Sequence, residues 1–146
     1  MKKLLFILCA SFSLHVFADD EWQVLNDTDS EIKLQVAMVK GDNWDLNHNP
    51  YDSPGTVSAK SYSLGVHVHS NFTATVDDRY SIKVDGEIAG YIDRDPGTTS
   101  DAWKLLDANG NFIGDIYHDD SDVCISYDPD GEGRNHPGGL GRLFDC

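Results

Sequence analysis

The stretch 32-IKLQVAM-38 carries a large apolar side chain at every second position. Successive side chains of a β-strand point to opposite faces of a sheet, so this period of two predicts a strand with one buried face. Residues 26–30 (NDTDS) form a cluster of turn-forming residues just before it, and an apolar segment at residues 22–25 precedes that cluster. Together these segments predict a first β-hairpin.

The same alternation continues through most of the chain, interrupted by clusters of Asp, Asn, Gly and Pro. Two of these clusters, Asp85-Gly86 and DANGN at residues 107–111, are hairpin signals with an alternating segment on either side. The remaining strand candidates are residues 57–59, 64–68, 72–76 and 123–127. About seven to nine short strands without a convincing helix predict an all-β fold, either an antiparallel β-sandwich or a jelly roll.

Residues 1–18 have the three parts of a secretory signal peptide. Two lysines at residues 2–3 come first, a largely apolar run occupies residues 4–12, and a small residue, Ala18, precedes an acidic start. We therefore expect cleavage after Ala18, which leaves residues 19–146 as a single β-sandwich domain. The short cationic start is typical of bacterial signals and indicates a secreted or periplasmic protein.

The charge of the chain restricts its partners. It has 25 acidic and 11 basic residues and a formal net charge of −14, which becomes −16 when the two lysines leave with the signal peptide. Such a field repels nucleic-acid phosphates and anionic lipids, and it favours cations and basic partners. Nucleic acid is therefore not an expected partner, and membrane contact is disfavoured without being excluded. The sequence does not indicate an oligomeric state.

Cys124 and Cys146 are the two cysteines that remain after signal cleavage. In an oxidising compartment an even pair of thiols normally forms a disulfide, and a redox or metal-binding pair would favour C-x-x-C spacing, which this pair lacks. The predicted bond closes a loop of about 22 residues, stabilises the fold by about 3 kcal/mol and ties down a Gly-rich tail.

The segment DPDGEG at residues 128–133 places carboxylates at alternating positions, with a glycine sixth. Asp128, Asp130 and Glu132 in this order resemble the first half of a calcium-binding loop, so calcium is the one cofactor that the sequence suggests. An EF-hand is excluded because its twelfth position, a bidentate glutamate, falls here on Gly139. The alternative is that the segment is simply a turn, and the same alternative is favoured for residues 107–111.

Two histidines, His67 and His69, share one face of a predicted strand because they are two residues apart. Both imidazoles could bind one transition-metal ion, with His118, His48 or a carboxylate as the third ligand. The alternative is a pair of solvent-facing histidines opposite a buried valine face.

An aromatic loop offers a binding surface. Trp44 and Tyr51 flank the sequence NHNP, which contains His48, and their rings could stack on sugar faces while polar side chains bond hydroxyl groups. Trp22 and Trp103 lie within apolar alternation and are expected in the core.

The function predicted from these features is that of a secreted acidic β-sandwich binding module. It would recognise a glycan or a protein through loops at one end of the sandwich, with calcium ordering the acidic loop. An enzyme is disfavoured because the sequence has no G-x-S-x-G elbow and no free catalytic cysteine after oxidation. The alternatives are a small metal-dependent enzyme that uses His67 and His69, and a membrane-active, cytolysin-like secreted protein.

Overall fold

The computed structural model describes residues 19–40, 46–69, 79–94, 102–117 and 123–143. The predicted signal peptide lies outside the described residues, as does the predicted strand at residues 72–76. The described part of the chain contains no helix of the length and apolarity that crossing a bilayer demands.

The described residues form twelve β-strands and one short 3-10 helix. The strands are β1 Asp19–Asn26, β2 Ile32–Lys40, β3 Leu46–His48, β4 Gly55–Val57, β5 Ser61–Tyr62, β6 Val66–His69, β7 Arg79–Val84, β8 Glu87–Arg94, β9 Ala102–Asp107, β10 Phe112–Tyr117, β11 Val123–Tyr127 and β12 Leu140–Arg142. The 3-10 helix, Glu132–Asn135, lies between β11 and β12. The prediction of an all-β fold is confirmed.

The strands form two six-stranded sheets. The first has the order β12-β11-β1-β6-β3, with β5 also paired to β1, and the second has the order β10-β9-β8-β7-β2-β4. Side chains from both sheets meet in one buried cluster, for example Val24 and Ile125 from the first sheet and Leu34 and Ile82 from the second. Trp22 belongs to this cluster, as predicted, with 5% of its surface exposed. The arrangement is consistent with a β-sandwich.

One pair of strands departs from the antiparallel prediction. β1 runs parallel to β11, in a register that extends from Trp22↔Val123 to Asn26↔Tyr127. Parallel neighbours need a long connection between them, and here all the strands of the second sheet intervene in the sequence. Alternating hydrophobicity shows which face of a strand is buried and carries no information about strand direction.

The strand number is also higher than the predicted seven to nine. The additional strands are short edge or bridging segments of two or three residues: β3, β5 and β12; β4 is equally short and shares only Val57 with the predicted strand at residues 57–59. Such segments are too short to show a period of two, so the sequence pattern could not reveal them.

The first predicted hairpin is wrong, because β1 and β2 belong to different sheets. The side chain of Asn26, which is fully buried, organises the connection between them. Its Nδ2 group donates to the carbonyl oxygens of Ser30, Val57 and Ser58, at 2.8, 3.1 and 3.1 Å. Its Oδ1 accepts hydrogen bonds from the backbone N–H and the hydroxyl of Thr28. These bonds hold the chain as it crosses from one sheet to the other.

The other two predicted hairpins are confirmed. β7 and β8 pair across a two-residue turn in which Asp85 and Gly86 both have positive φ, 51° and 86°. These values fit the type I′ turn that an Asp-Gly pair favours. β9 and β10 pair on either side of residues 108–111, where Gly110 also has a positive φ.

Candidate functional site

A pocket of about 310 Å³ lies at one end of the sandwich, between the β7–β8 turn and the segment that follows β11. Val84, Ile88 and Ala89 give it an apolar wall. Four polar side chains also line it: Glu87, Tyr127, Arg134 and His136. A mainly apolar wall with a few convergent polar groups is the usual construction of a small-molecule site, and the volume is at the lower limit for such sites.

The Gly-rich segment after β11 forms the second wall of the pocket through close backbone packing. Gly138 has a φ of +94°, and a Cβ at this position would overlap the carbonyl oxygen of Ala89. A Cβ at Gly139, whose φ is +80°, would lie 2.9 Å from the Cβ of Pro129. Only glycine combines these backbone angles with such close approaches. The Gly-rich tail is therefore well packed among the described residues, whereas the sequence suggested that it depends on the disulfide.

Hydrogen bonds attach this segment to its neighbours. The backbone N–H of Asp128 donates to the carbonyl oxygen of Gly139 at 2.9 Å, which closes the segment into a loop. The backbone N–H of Ala108 donates to the carbonyl oxygen of Pro137 at 2.8 Å, which joins the loop to the β9–β10 hairpin. The pocket wall is thus anchored at both sheets.

The acidic loop that resembles a calcium site borders this pocket. Oδ1 of Asp128 accepts a hydrogen bond from the backbone N–H of Gly131 at 2.9 Å, and the 3-10 helix begins directly afterwards at Glu132. Asp130 is exposed, and the side chain of Glu132 lies outside the described residues. Among the described residues no three His, Cys, Asp or Glu side chains are grouped so that they could hold a metal ion. Asp128 thus acts as a turn residue, and calcium binding stays a prediction.

The phenol of Tyr127 lies at the end of β11, where it packs against the core and lines the pocket. Burial, together with the negative charges of Asp85 and Asp130, raises the pKa of Tyr127 above its ordinary value. The hydroxyl therefore keeps its proton at neutral pH and is able to donate a hydrogen bond to a ligand.

Asp107 supports the pocket from the β9–β10 turn. Its buried carboxylate accepts hydrogen bonds from the backbone N–H groups of Asn109 and Asn111, at 2.8 and 2.9 Å, and from the side-chain amide of Asn111 at 3.1 Å. Burial by itself would raise the pKa of Asp107, but these hydrogen bonds outweigh it and, with the charge of His136, lower the pKa below its ordinary value. Residues 107–111 are therefore a turn closed by an ionised carboxylate.

The aromatic loop predicted from the sequence is not a surface platform at Tyr51. This side chain is only 4% exposed and belongs to the core cluster, and its hydroxyl oxygen accepts a hydrogen bond from the backbone N–H of Leu64 at 2.8 Å. Its ring also contacts the backbone at Gly55, where a Cβ would lie 2.8 Å from a ring carbon. A tyrosine that bridges the two sheets cannot stack on a sugar, which corrects the prediction for this residue. Trp44 and the side chain of His48 lie outside the described residues.

The predicted metal ligands His67 and His69 lie in β6, and their backbone register is informative. His67 pairs with Glu21 of β1 on one side and with His48 of β3 on the other. His69 pairs with Asp19 of β1. The pairing therefore places three histidines and two acidic residues at neighbouring positions of the first sheet. The side chains of these residues, and the whole of His118, lie outside the described residues.

Several strands end next to a segment that the structure does not describe. These strand ends lie on the side of the two sheets that is opposite to the pocket. The pairing register shows this, because it aligns Lys40 with Arg79 and Asp19 with His69. The strand ends concerned are Lys40, Leu46, His69, Arg79, Arg94, Ala102, Tyr117 and Val123.

Cys124, in β11, is 2% exposed, and Cys146 lies outside the described residues. The predicted disulfide therefore stays a prediction. Leu143, three residues before Cys146, donates its backbone N–H to the carbonyl oxygen of Cys124 at 3.3 Å.

Sequence reasoning missed the pocket because its two walls come from segments that are distant in the sequence. One wall belongs to the β7–β8 hairpin, and the other belongs to the end of β11 and to a Gly-rich segment that is predicted as a loop from the sequence. The available signal was the run of residues 134–139, in which Arg134 and His136 are followed by Pro and two glycines.

Comparisons of the chain with protein-family models, curated proteins and solved structures found no match.

Proposed function

We propose that this protein is an exported, non-enzymatic binding module that takes a small polar group of its partner into the pocket beside Tyr127. One observation supports the proposal most strongly: four polar side chains and an apolar wall line the same cavity of about 310 Å³. A glycan or a protein is the partner class that the sequence favours. The size of the cavity restricts the bound part of either to one unit, such as a single sugar or a single amino acid.

Export is part of this proposal. The pattern of residues 1–18 supports it. Cleavage after Ala18 would leave the described strand β1, Asp19–Asn26, in the mature chain, where it pairs with β11 and β6. N-terminal sequencing of the exported protein tests this, and a first residue within β1 would contradict it.

The disulfide between Cys124 and Cys146 belongs to the same proposal. The hydrogen bond from Leu143 places the chain beside Cys124 only three residues before Cys146, and an extended chain spans about 3.5 Å per residue. This short separation along the chain supports the proposed bond.

The binding proposal can be tested by titrating the exported protein with a panel of single sugars and amino acids, followed by amide chemical shifts. Ligands should shift the signals of residues 134–139 and of the β7–β8 turn. Tyr127→Phe removes the hydroxyl donor and should weaken binding about 3- to 10-fold, the effect of one neutral hydrogen bond. Tyr62→Phe changes an exposed tyrosine that does not line the pocket and should have no effect. Shifts confined to other surfaces would contradict the proposal.

A transition-metal site at the opposite end is the second candidate, and the register of β6 favours it. In the regular β1–β6 pairing His67 lies opposite Glu21 and His69 lies opposite Asp19, so two histidines and two acidic residues occupy paired positions. The test is the zinc and copper content of the exported protein, with His67→Gln/His69→Gln as the variant and His136→Gln as the control. Metal at one equivalent that only the double variant loses supports the site, and a metal-free protein after incubation with both ions contradicts it.

A further inference from the structure

We infer that the ligand of the pocket is zwitterionic, with an ammonium group and a carboxylate separated by a short aliphatic body, as in a free amino acid such as leucine. This inference rests on the proposed binding function of the pocket and differs from it in the ligand, which is a free small molecule and not a unit of a glycan or protein. It depends on how charge is distributed over the two walls of the pocket.

The β7–β8 hairpin contributes one acidic side chain to the pocket. Glu87 lines the pocket and is exposed, and Asp85, which does not line it, lies two residues earlier in the same hairpin. Tyr127, at the end of β11, also lines the pocket, and the negative charges of Asp85 and Asp130 act on its phenol. Carboxylates and a phenol oxygen accept the hydrogen bonds that an ammonium group donates.

The segment after β11 contributes the two basic side chains that line the pocket. Arg134, in the last turn of the 3-10 helix, and His136, directly after it, both line the pocket. A guanidinium group binds a carboxylate through two parallel hydrogen bonds, and the imidazole adds a further donor. This wall is suited to the anionic end of a ligand.

The two charged walls do not neutralise each other. Glu87 and Arg134 line one pocket, yet within the described ranges neither forms an ion pair with the other or with any other residue. Lys60 and Arg79, in contrast, are paired with Asp27 and Asp93. Two opposite charges that line one cavity without an ion pair between them leave room for a ligand that satisfies both.

The apolar residues Val84, Ile88 and Ala89 account for the rest of the ligand. They line the same cavity as the charged groups, and Val84 is almost completely buried. An aliphatic side chain that contacts them is removed from water, which favours binding by about 25 cal/mol per Å² of apolar surface. A neutral sugar would satisfy the hydrogen-bonding groups and leave both charges without a partner.

The experiment is a calorimetric titration of the exported protein at pH 7 with four probes. L-Leucine has both charges, N-acetyl-L-leucine lacks the ammonium group, L-leucinamide lacks the carboxylate, and glucose has neither charge. Leucine should bind most tightly, and each derivative should bind at least about 10-fold more weakly, the equivalent of one charge-assisted contact.

Two charge variants assign each end of the ligand to its wall. Glu87→Gln should remove the preference for leucine over N-acetyl-L-leucine, whereas Arg134→Gln should remove the preference for leucine over L-leucinamide. Both side chains are exposed, so neither substitution should affect folding. Glu31→Gln, an exposed glutamate that does not line the pocket, is the matched control and should bind as the wild type does.

The outcomes separate this inference from the proposed function. If glucose binds in the pocket and leucine does not, the binding function holds and the zwitterionic ligand is wrong. The same conclusion follows if leucine and both derivatives bind equally well. If no member of the wider sugar and amino-acid panel binds at millimolar concentration, both the proposed function and this inference fail.

Discussion

Asn26 is the residue whose replacement should have the largest effect on how the two sheets are joined. It is fully buried, and its side chain makes five hydrogen bonds, three as donor and two as acceptor. Asn26→Ala leaves several partly buried partners without this group, at about 1–3 kcal/mol for each buried group that stays unsatisfied. Water can hydrogen-bond to the partners that are only partly buried, so we expect the free energy of unfolding to decrease by about 3–4 kcal/mol in total.

Asn26→Asp is the sharper perturbation because it keeps the shape and the acceptor oxygen and replaces only the Nδ2 donor. At neutral pH an anionic oxygen would then face the carbonyl oxygens of Ser30, Val57 and Ser58. Burial and these carbonyl dipoles should raise the pKa of the new carboxyl in the folded protein. Its neutral form is therefore the one that folding favours, so this variant should lose stability as pH rises above the unfolded pKa of about 3.9.

The assay is urea unfolding followed by tryptophan fluorescence, at pH 7 and at pH 4.5, for the wild type and both variants. At pH 7 both should lose about 3 kcal/mol or more, a decrease of about 10 °C in Tm for a domain of this size. At pH 4.5 the difference in free energy of unfolding between Asn26→Asp and the wild type should be smaller than at pH 7, whereas the difference for Asn26→Ala should not change. Asn109→Ala, an exposed asparagine in a turn, is the control and should change stability by less than about 0.5 kcal/mol. A loss below about 1 kcal/mol for Asn26→Ala would refute the reasoning, as would identical pH dependence of the two variants.

Four further predictions concern the same domain. Asp107→Asn should lower the free energy of unfolding by about 1–2 kcal/mol at pH 7, because it removes the charge of a hydrogen-bonded carboxylate. Since the pKa of Asp107 is lowered in the folded protein, this stabilisation exists above the unfolded pKa and is lost as pH falls, so the urea midpoints of variant and wild type should converge in acid. Gly138→Ala should lower the free energy of unfolding by about 3 kcal/mol because the new Cβ overlaps backbone atoms, whereas Gly110→Ala, which has a similar φ and open space around it, should lower it by about 1 kcal/mol. Equal destabilisation of the two variants in thermal unfolding would contradict the close packing at Gly138. Calcium should bind the acidic loop with a Kd on the order of 10⁻⁴ to 10⁻³ M and raise the Tm of the wild type more than that of Asp130→Asn, and an equal effect of magnesium on both proteins would indicate general charge screening. Cys124→Ala should lower the free energy of unfolding by about 3 kcal/mol through loss of the disulfide, and two alkylated thiols in the intact mass of the unreduced wild type would show that the bond does not form.

The elements that the sequence predicted correctly are local. The period of two in residues 32–38 reports which face of one strand is buried, and the Asp85-Gly86 turn depends on the backbone angles of two adjacent residues. Both signals come from a few consecutive residues, so they are visible without any knowledge of the fold. The all-β fold and two of the three predicted hairpins follow from signals of this kind.

What only the tertiary structure decided involves contacts between distant segments. The assignment of β1 and β2 to different sheets depends on the bonds from Asn26 to Val57 and Ser58, and the burial of Tyr51 depends on Leu64. The candidate site has the same origin, because a hairpin and a Gly-rich segment form a pocket only when the sheets pack. Hydrophobic burial is non-directional, so alternation shows that a face is buried and does not show what covers it. Pairing partners, strand direction and the pocket are therefore settled by packing across the core.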